Sequence, residues 1–458
     1  MSKANISLMK SIFMGEIQEE LAFPYPQMDP DEADMVRIIQ ENLQRWGEEQ
    51  FDAAKADEEG KYPEGALEQL AELGFFGWNI PEEFGGLEFS MSAFARVYEK
   101  TAGIDGSLPV TLGAHASIGL KGLLLYGTDE QKRKYLPDLA SGKTIAAFAL
   151  TEPGAGSDAA SIQTRAELQP DGNWLLNGQK IWITNGAYAG FFTVFAKTPV
   201  EADGETKDKI TAFIVEGDRE GFTRGPEEHK LGIKASSTAP LYFDNVVLPP
   251  ENVLGEVGKG FKVAMHVLNS GRLGLAAAVI GGSRAVSKVA IEYVRQRKQF
   301  DRPLADFELI KEKISRMTVY TYVIESMVYL TTDLVDREGV DYSIESAICK
   351  VYAADRGWEG INDALQMMGG LGYMKEYPFE RVLRDARINQ IFEGTNEILR
   401  LYIALVGLQE PGEYLKQLGA ALRGPIKGFG FLADYAFTRV KGAVTKPSLS
   451  RVHPALRK

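Results

Sequence analysis

The spacing of apolar residues changes twice along this chain of 458 residues, and those two changes constrain its fold more than any other feature. From Pro30 to about Ala146, apolar residues recur at intervals of three and four, as in Leu67, Leu70 and Leu73 or Leu120, Leu123 and Leu124. That spacing puts them on one face of a helix. Pro81, Gly85 and Gly86, then Gly103 and Gly106, divide the stretch into several helices. Near Phe148 the pattern gives way to short β-rich runs, Trp174 to Leu176, Phe191 to Ala196, Ile210 to Val215 and Leu241 to Phe243, separated by polar turns. Glu201 to Lys209 is expected as a solvated hairpin loop. Helical spacing returns at Phe261 and persists to Leu408, with long helices expected over Phe261 to Gln296, Leu309 to Arg337 and Ile344 to Met368, which suggests a four-helix bundle. The expectation is an α+β multidomain chain: an N-terminal extension over 1–29, a helical domain over 30–146, a β domain over 147–260, a helical bundle over 261–408 and a tail over 409–458.

Charge and residue usage exclude several functions. With 63 acidic and 51 basic residues the net charge is −12, which repels phosphate, so no nucleic acid partner is expected. Cys349 is the one cysteine, so an intramolecular disulfide and a cysteine-based metal site are ruled out and a reducing compartment fits. His115, His229, His266 and His453 have no metal-ligand spacing, and no metal is expected. Met1 to Ile17 lacks the apolar core of a secretory signal. The apolar stretch Leu273 to Ser283 is closed off by Arg272 and Arg284, short of the ~20 residues of a membrane span. Two motif fragments lead nowhere: Ser141-Gly142-Lys143-Thr144 has Pro137 where a phosphate loop needs glycine, and Gly281-Gly282-Ser283 has Ala285 where a nucleophile elbow needs one.

Three segments carry chemistry. Ala149 to Asp158, Ala-Leu-Thr-Glu-Pro-Gly-Ala-Gly-Ser-Asp, sets small and polar residues in a turn after an apolar strand, where backbone amides can approach a ligand; a plain surface turn is the alternative. Gln366 to Tyr373, Gln-Met-Met-Gly-Gly-Leu-Gly-Tyr, ends a helix in glycines and is followed by Glu376, Arg381 and Asp385. Phe392 to Arg400 places Glu393 beside Gly394, just before a helical run that Thr395 or Asn396 can cap. Taken alone, Glu393 reads better as an exposed carboxylate than as a catalytic one.

In this order and at these separations, the three segments resemble the acyl-CoA dehydrogenase family, over roughly residues 30–408. Thr111 to Gly127, Phe192 to Pro199 and Gly255 to Leu268 look most similar to its very-long-chain branch and the complex I assembly relative of that branch. The resemblance implies the acyl-CoA dehydrogenase fold: an N-terminal helical domain, a middle β-barrel-like domain and a C-terminal four-helix bundle, with FAD held between them and across a subunit interface. By position, Phe148, Leu150, Thr151, Gly156, Ser157, Trp182, Ile183 and Thr184 look like the β-domain wall against the flavin. Arg297, Gln299 and Phe300, with Gln366, Gly369 and Gly370, look like contacts made by a neighbouring subunit. Thr395 and Glu397 match positions near the adenosine, although the family often has an uncharged amide in place of Glu397 and glutamine in place of Glu308.

Glu393 matches the base that takes the α-proton of a fatty acyl-CoA. Ser157, Asn269, Arg272, Gly394, Gly113 and Ala114 match substrate contacts. Some relatives carry the base on another helix, at the position that is Gly271 here. The helix Leu112 to Gly119 matches the wall of the acyl tunnel, and its small side chains suggest long substrates. The implied partners are fatty acyl-CoA and electron-transferring flavoprotein, in a homodimer or homotetramer, in the cytoplasm or, for a eukaryotic chain, the mitochondrial matrix. An acyl-CoA oxidase and an assembly scaffold on the same fold are the competing readings. The long-chain branch continues into a further C-terminal domain, of which residues 409–458 resemble only the beginning. That tail has nine basic and three acidic residues, a charge of +6, and Ile426 to Val444 mixes aromatic and basic side chains in a way suited to a peripheral membrane contact.

Overall fold

The computed structural model describes residues 6–202 and 204–423, so Ile426 to Val444 lies outside the described residues. Helices lead. The first long one, α1 (Pro30–Glu49), starts where Asp29 accepts the backbone N–H groups of Asp31 and Glu32 and where proline occupies the first turn. Next come α2 (Met91–Ala102), capped by Ser90, and α3 (Ser107–Gly113). Residues Ala114–Gly119 then continue as a π-helical turn before the chain reaches α4 (Asp129–Ala140), which opens with a reciprocal cap between Thr128 and Gln131. The helix expected over Leu112 to Gly119 is thus found, but with wider winding from Ala114 on. His115 explains why the turn is stable: its Nδ1 accepts Ala146 N–H at 2.9 Å and its Nε2 faces Phe76 O at 3.1 Å. Burial lowers its pKa to about 4, so the ring is neutral and structural.

The middle of the chain forms one eight-stranded sheet in the order β6-β7-β3-β2-β4-β5-β8, with β1 (Ala146–Ala149) parallel to β4. The strands are β2 (Arg165–Leu168), β3 (Trp174–Thr184), β4 (Phe191–Ala202), β5 (Glu205–Glu216), β6 (Phe222–Arg224), β7 (Thr238–Leu248) and β8 (Val253–Leu254). Phe192, Val194, Phe213 and Val215 pack on one side of the β4–β5 pair, and Phe191, Phe195 and Ile214 on the other. The strands run longer than their apolar runs. Ala202 pairs with Glu205, so most of Glu201 to Lys209, expected as a loop, is exposed antiparallel ladder.

The C-terminal helices are α5 (Gly260–Gln296), α6 (Glu308–Asp336), α7 (Ser343–Met368), α8 (Phe379–Ala386) and α9 (Asn396–Arg423). Helix α5 runs through the centre of the molecule. Glycine at 281 lets it press on α2, since a Cβ there would collide with the backbone oxygen of Glu99. By length and apolar content both Ser107–Tyr126 and Gly260–Gln296 could span a bilayer, contrary to the shorter apolar stretch expected, but most of each is buried inside the fold as a core helix. The N-terminal segment is tied to α7: Ser7 Oγ donates to Glu345 Oε1 at 2.7 Å and Lys10 pairs with Asp341 at 2.6 Å.

Candidate active site

Glu393 and Gly394 form the turn that feeds α9, with φ of 59° and 90°. A left-handed glutamate costs about 1–3 kcal/mol and persists only when its surroundings hold it. Three contacts do so. Arg272 Nε of α5 donates to Glu393 O at 3.2 Å, while Lys350 Nζ of α7 donates to Gly394 O and to Asn396 Oδ1, both at 2.8 Å. Asn396 Nδ2 in turn donates to Asp355 Oδ1 at 2.8 Å. Thr395 Oγ1 accepts Ile398 N–H at 3.3 Å, so Thr395 is the residue that caps α9.

The carboxylate itself points inward. Glu393 Oε2 is closed off from solvent and has no hydrogen-bond partner. A Cβ at Gly271 would stand 2.7 Å from Oε1 and closer still to Oε2, so only glycine at 271 leaves room for this side chain. Burial pushes the Glu393 carboxyl up to about 7, against the opposing pull of Arg272 and Lys350. A carboxylate with this proton affinity is suited to act as a base at neutral pH.

Glu393 lines a cavity of about 310 Å³. Along α5 its wall is Gly271, Leu275, Ala278, Val279, Gly282, Ala285, Val286 and Val289, all on one helical face. At 1.5 Å per residue the face is roughly 27 Å long. Gly113 and Ala114 line the cavity near Tyr98, and a Cβ at Gly113 would collide with the Tyr98 hydroxyl. Arg381, Asp105 and Asp385 form a polar corner, where burial and the neighbouring Asp105 push the Asp385 carboxyl up to about 7.

Beside this cavity the β domain offers a wall. Thr184 reaches the cavity, Ile183 and Leu150 are buried behind it, and Ile181 N–H donates to Thr151 O at 3.0 Å, joining the two segments. Phe148 packs on Phe195 with the rings tilted at 56°, while Trp182, held at φ 57°, is 63% exposed. Gly156 and Ser157 lie exposed in the following turn, with open space where a Gly156 side chain would be. Behind the wall Lys180 Nζ is fully buried and pairs with Glu152 at 2.7 Å. An exposed indole beside an accessible glycine turn fits a flat aromatic cofactor with a polar tail.

The structure does not gather every expected residue. Asn269 and Arg272 meet, with Arg272 Nη1 donating to Asn269 Oδ1 at 2.9 Å. Gln366, Gly369 and Gly370 are exposed, and Gln366 lies about 24 Å along α7 from Lys350. Arg297, Gln299 and Phe300 follow the far end of α5, roughly 39 Å along it from Gly271. Glu397 is exposed, and Glu308 pairs with Lys311 at 2.8 Å. Sequence reasoning missed Lys350 and Tyr98. A lysine set between Ala347 and Ala354 in a buried helical stripe was the available signal for the first.

A buried, unpartnered carboxylate at a long apolar cavity, with the β-domain segments at its side, fits the class of flavin-dependent oxidoreductases. Comparison with known proteins narrows the class. Residues 33–143, 147–246 and 258–408 match the models of the acyl-CoA dehydrogenase N-terminal, middle and C-terminal domains. The very long-chain specific acyl-CoA dehydrogenase of Homo sapiens is 47% identical, over 98% of this chain and 70% of that protein. Butyryl-CoA dehydrogenase of Megasphaera elsdenii superposes with a TM-score of 0.78 at 36% identity, covering 84% of this chain and 99% of that one. An acyl-CoA dehydrogenase of Bacillus anthracis complexed with FAD gives 0.76 at 36%, covering 90% and 73%. This chain belongs to the acyl-CoA dehydrogenase family.

Proposed function

We propose that this protein oxidises long-chain fatty acyl-CoA to the trans-2-enoyl-CoA in fatty acid oxidation, with Glu393 as the base. The observation that carries the reading is the Glu393 carboxylate, unpartnered at Oε2 and set at a long apolar cavity. The α-proton of a thioester is too weakly acidic for a solvated carboxylate, so the site raises the basicity of Glu393 by desolvation. The backbone amide of Glu393 would donate to the thioester carbonyl as negative charge develops there. Arg272 holds the base turn through Glu393 O and, with Asn269, Ser157 and Gly394, would contact the thioester and CoA. Gly113, Ala114 and the small face of α5 admit the acyl chain.

Phe148, Leu150, Thr151, Gly156, Ser157, Trp182, Ile183 and Thr184 would hold FAD, which when bound accepts the hydride leaving the β-carbon. Arg297, Gln299, Phe300, Gln366, Gly369 and Gly370 lie too far along their helices to reach the same flavin. A second copy of the chain supplies them in a homodimer or homotetramer, while Thr395 and Glu397 flank the adenosine. Electron-transferring flavoprotein takes the electrons, in the cytoplasm or mitochondrial matrix, and the +6 tail suits a peripheral membrane contact.

The test is anaerobic titration of the flavin-loaded protein with palmitoyl-CoA and butyryl-CoA, following loss of flavin absorbance, beside Glu393→Gln. Bleaching by palmitoyl-CoA that is lost in the variant is expected, with butyryl-CoA the poorer reductant. Bleaching by neither thioester overturns the reading in favour of a scaffold.

A further inference from the structure

Lys350 is a fully buried lysine whose ammonium makes two hydrogen bonds, both to the turn that carries the base. A neutral donor would satisfy Gly394 O and Asn396 Oδ1 equally well, and burying a charge is costly unless the charge itself is used. We propose that Lys350 is a positioning residue for proton abstraction: its ammonium ties the Gly394 carbonyl to the Asn396 side chain beside Glu393 and supplies positive charge that keeps the base ionised. This inference rests on the reading of Glu393 as the base.

The geometry separates Lys350 from the other groups near Glu393. From α5, Arg272 holds the carbonyl of Glu393 itself and turns Nη1 toward Asn269. From α2, Tyr98 faces Glu393 but spends its hydroxyl proton on Pro109 O. Lys350 alone reaches past Glu393 to the next carbonyl and to the first residue of α9, so it links the strained turn to the helix that follows. Asp355 and Glu397 are the remaining charges that bear on Lys350, and Asp355 is already engaged by Asn396, Gln390 and Arg400. Burial lowers the Lys350 amine to about 8, opposed by Glu393, so near neutral pH the lysine is mostly protonated while the Glu393 carboxyl is about half ionised.

The experiment follows the rate of anaerobic flavin bleaching by palmitoyl-CoA against pH in wild type, Lys350→Met and Lys350→Arg holoenzyme. In Lys350→Met the acid limb is expected to move up by about one pH unit, since a nearby opposite charge is lost. The alkaline plateau is expected to fall roughly tenfold as the base loses its aim. Lys350→Arg returns the acid limb to its wild-type position, which a merely structural role would not require. An unmoved acid limb in Lys350→Met protein that holds its FAD overturns the proposal. Should Lys350→Met fail to fold, Lys350→Gln keeps a donor for Gly394 O while removing the charge, and the same limb is read. Glu393→Gln in parallel separates the two ideas: bleaching retained there refutes the base, whatever Lys350 does.

Discussion

At Glu393 the demands of folding and of chemistry conflict. An ordinary carboxyl near 4.5 raised to about 7 makes the ionised side chain a liability in the folded state. A group whose folded pKa lies above its unfolded value contributes stability that is complete at low pH and is lost as pH rises through the folded value. Glu393→Gln is therefore expected to melt higher than wild type at about pH 8, by up to about 3 kcal/mol, with the gap closing toward pH 5. Thermal unfolding of the two proteins at both pH values checks this, and an equal gap at each would contradict it. Little of this was legible in the sequence. Glu393 beside glycine reads first as surface, and only the resemblance of three distant segments singled it out. Its burial depends on Gly271, which is 122 residues away in the chain, and no local pattern encodes such a contact.

Among the elements, the long helices were the most legible because their apolar stripes are continuous. Phe261 to Gln296 was expected and Gly260–Gln296 is found; Leu309 to Arg337 became Glu308–Asp336. The strands were located but cut short, because the outer half of β5 is exposed and its polar residues carry no apolar alternation. The π-helical turn at Ala114–Gly119 had no signal, since a one-residue change in hydrogen-bond spacing leaves composition untouched. What the sequence hid in α5 was a face rather than a residue. Gly282 sits midway along the cavity wall, where a Cβ would meet Ala102 O at 3.9 Å. Gly282→Phe is expected to lower kcat/KM for palmitoyl-CoA by tenfold or more while leaving butyryl-CoA within about twofold, since steric exclusion acts only on the longer chain. Equal losses on both substrates would place the acyl chain elsewhere.

Taken whole, the molecule sets Arg297, Gln299 and Phe300 beyond the end of α5, and Gln366, Gly369 and Gly370 at the end of α7, away from Glu393. That separation supports assembly, because Phe300 stands 87% exposed at φ 53° at the end of α5. A large exposed aromatic of this kind is typical of an interaction surface. Phe300→Asp is expected to shift the protein to smaller species in sedimentation and to weaken FAD retention several-fold. A variant that keeps both its size and its flavin would remove Phe300 from the interface. The family resemblance supplied this idea, since nothing in the residue pattern of one chain says which surface meets another copy.

The fit between Gly271 and Glu393 also bears on how such a site can change over generations. Relatives that carry their base on the other helix resemble the outcome of moving one carboxylate across a gap filled by the first. Installing an acid at 271 while Glu393 remains would force two carboxylates into the same space, and discarding Glu393 first would leave a chain with no base. Either single substitution is expected to lose activity, so the two arrangements are neighbours in space and yet hard to interconvert one step at a time. A lineage could pass from one to the other only through a paired change or a spare gene copy released from selection.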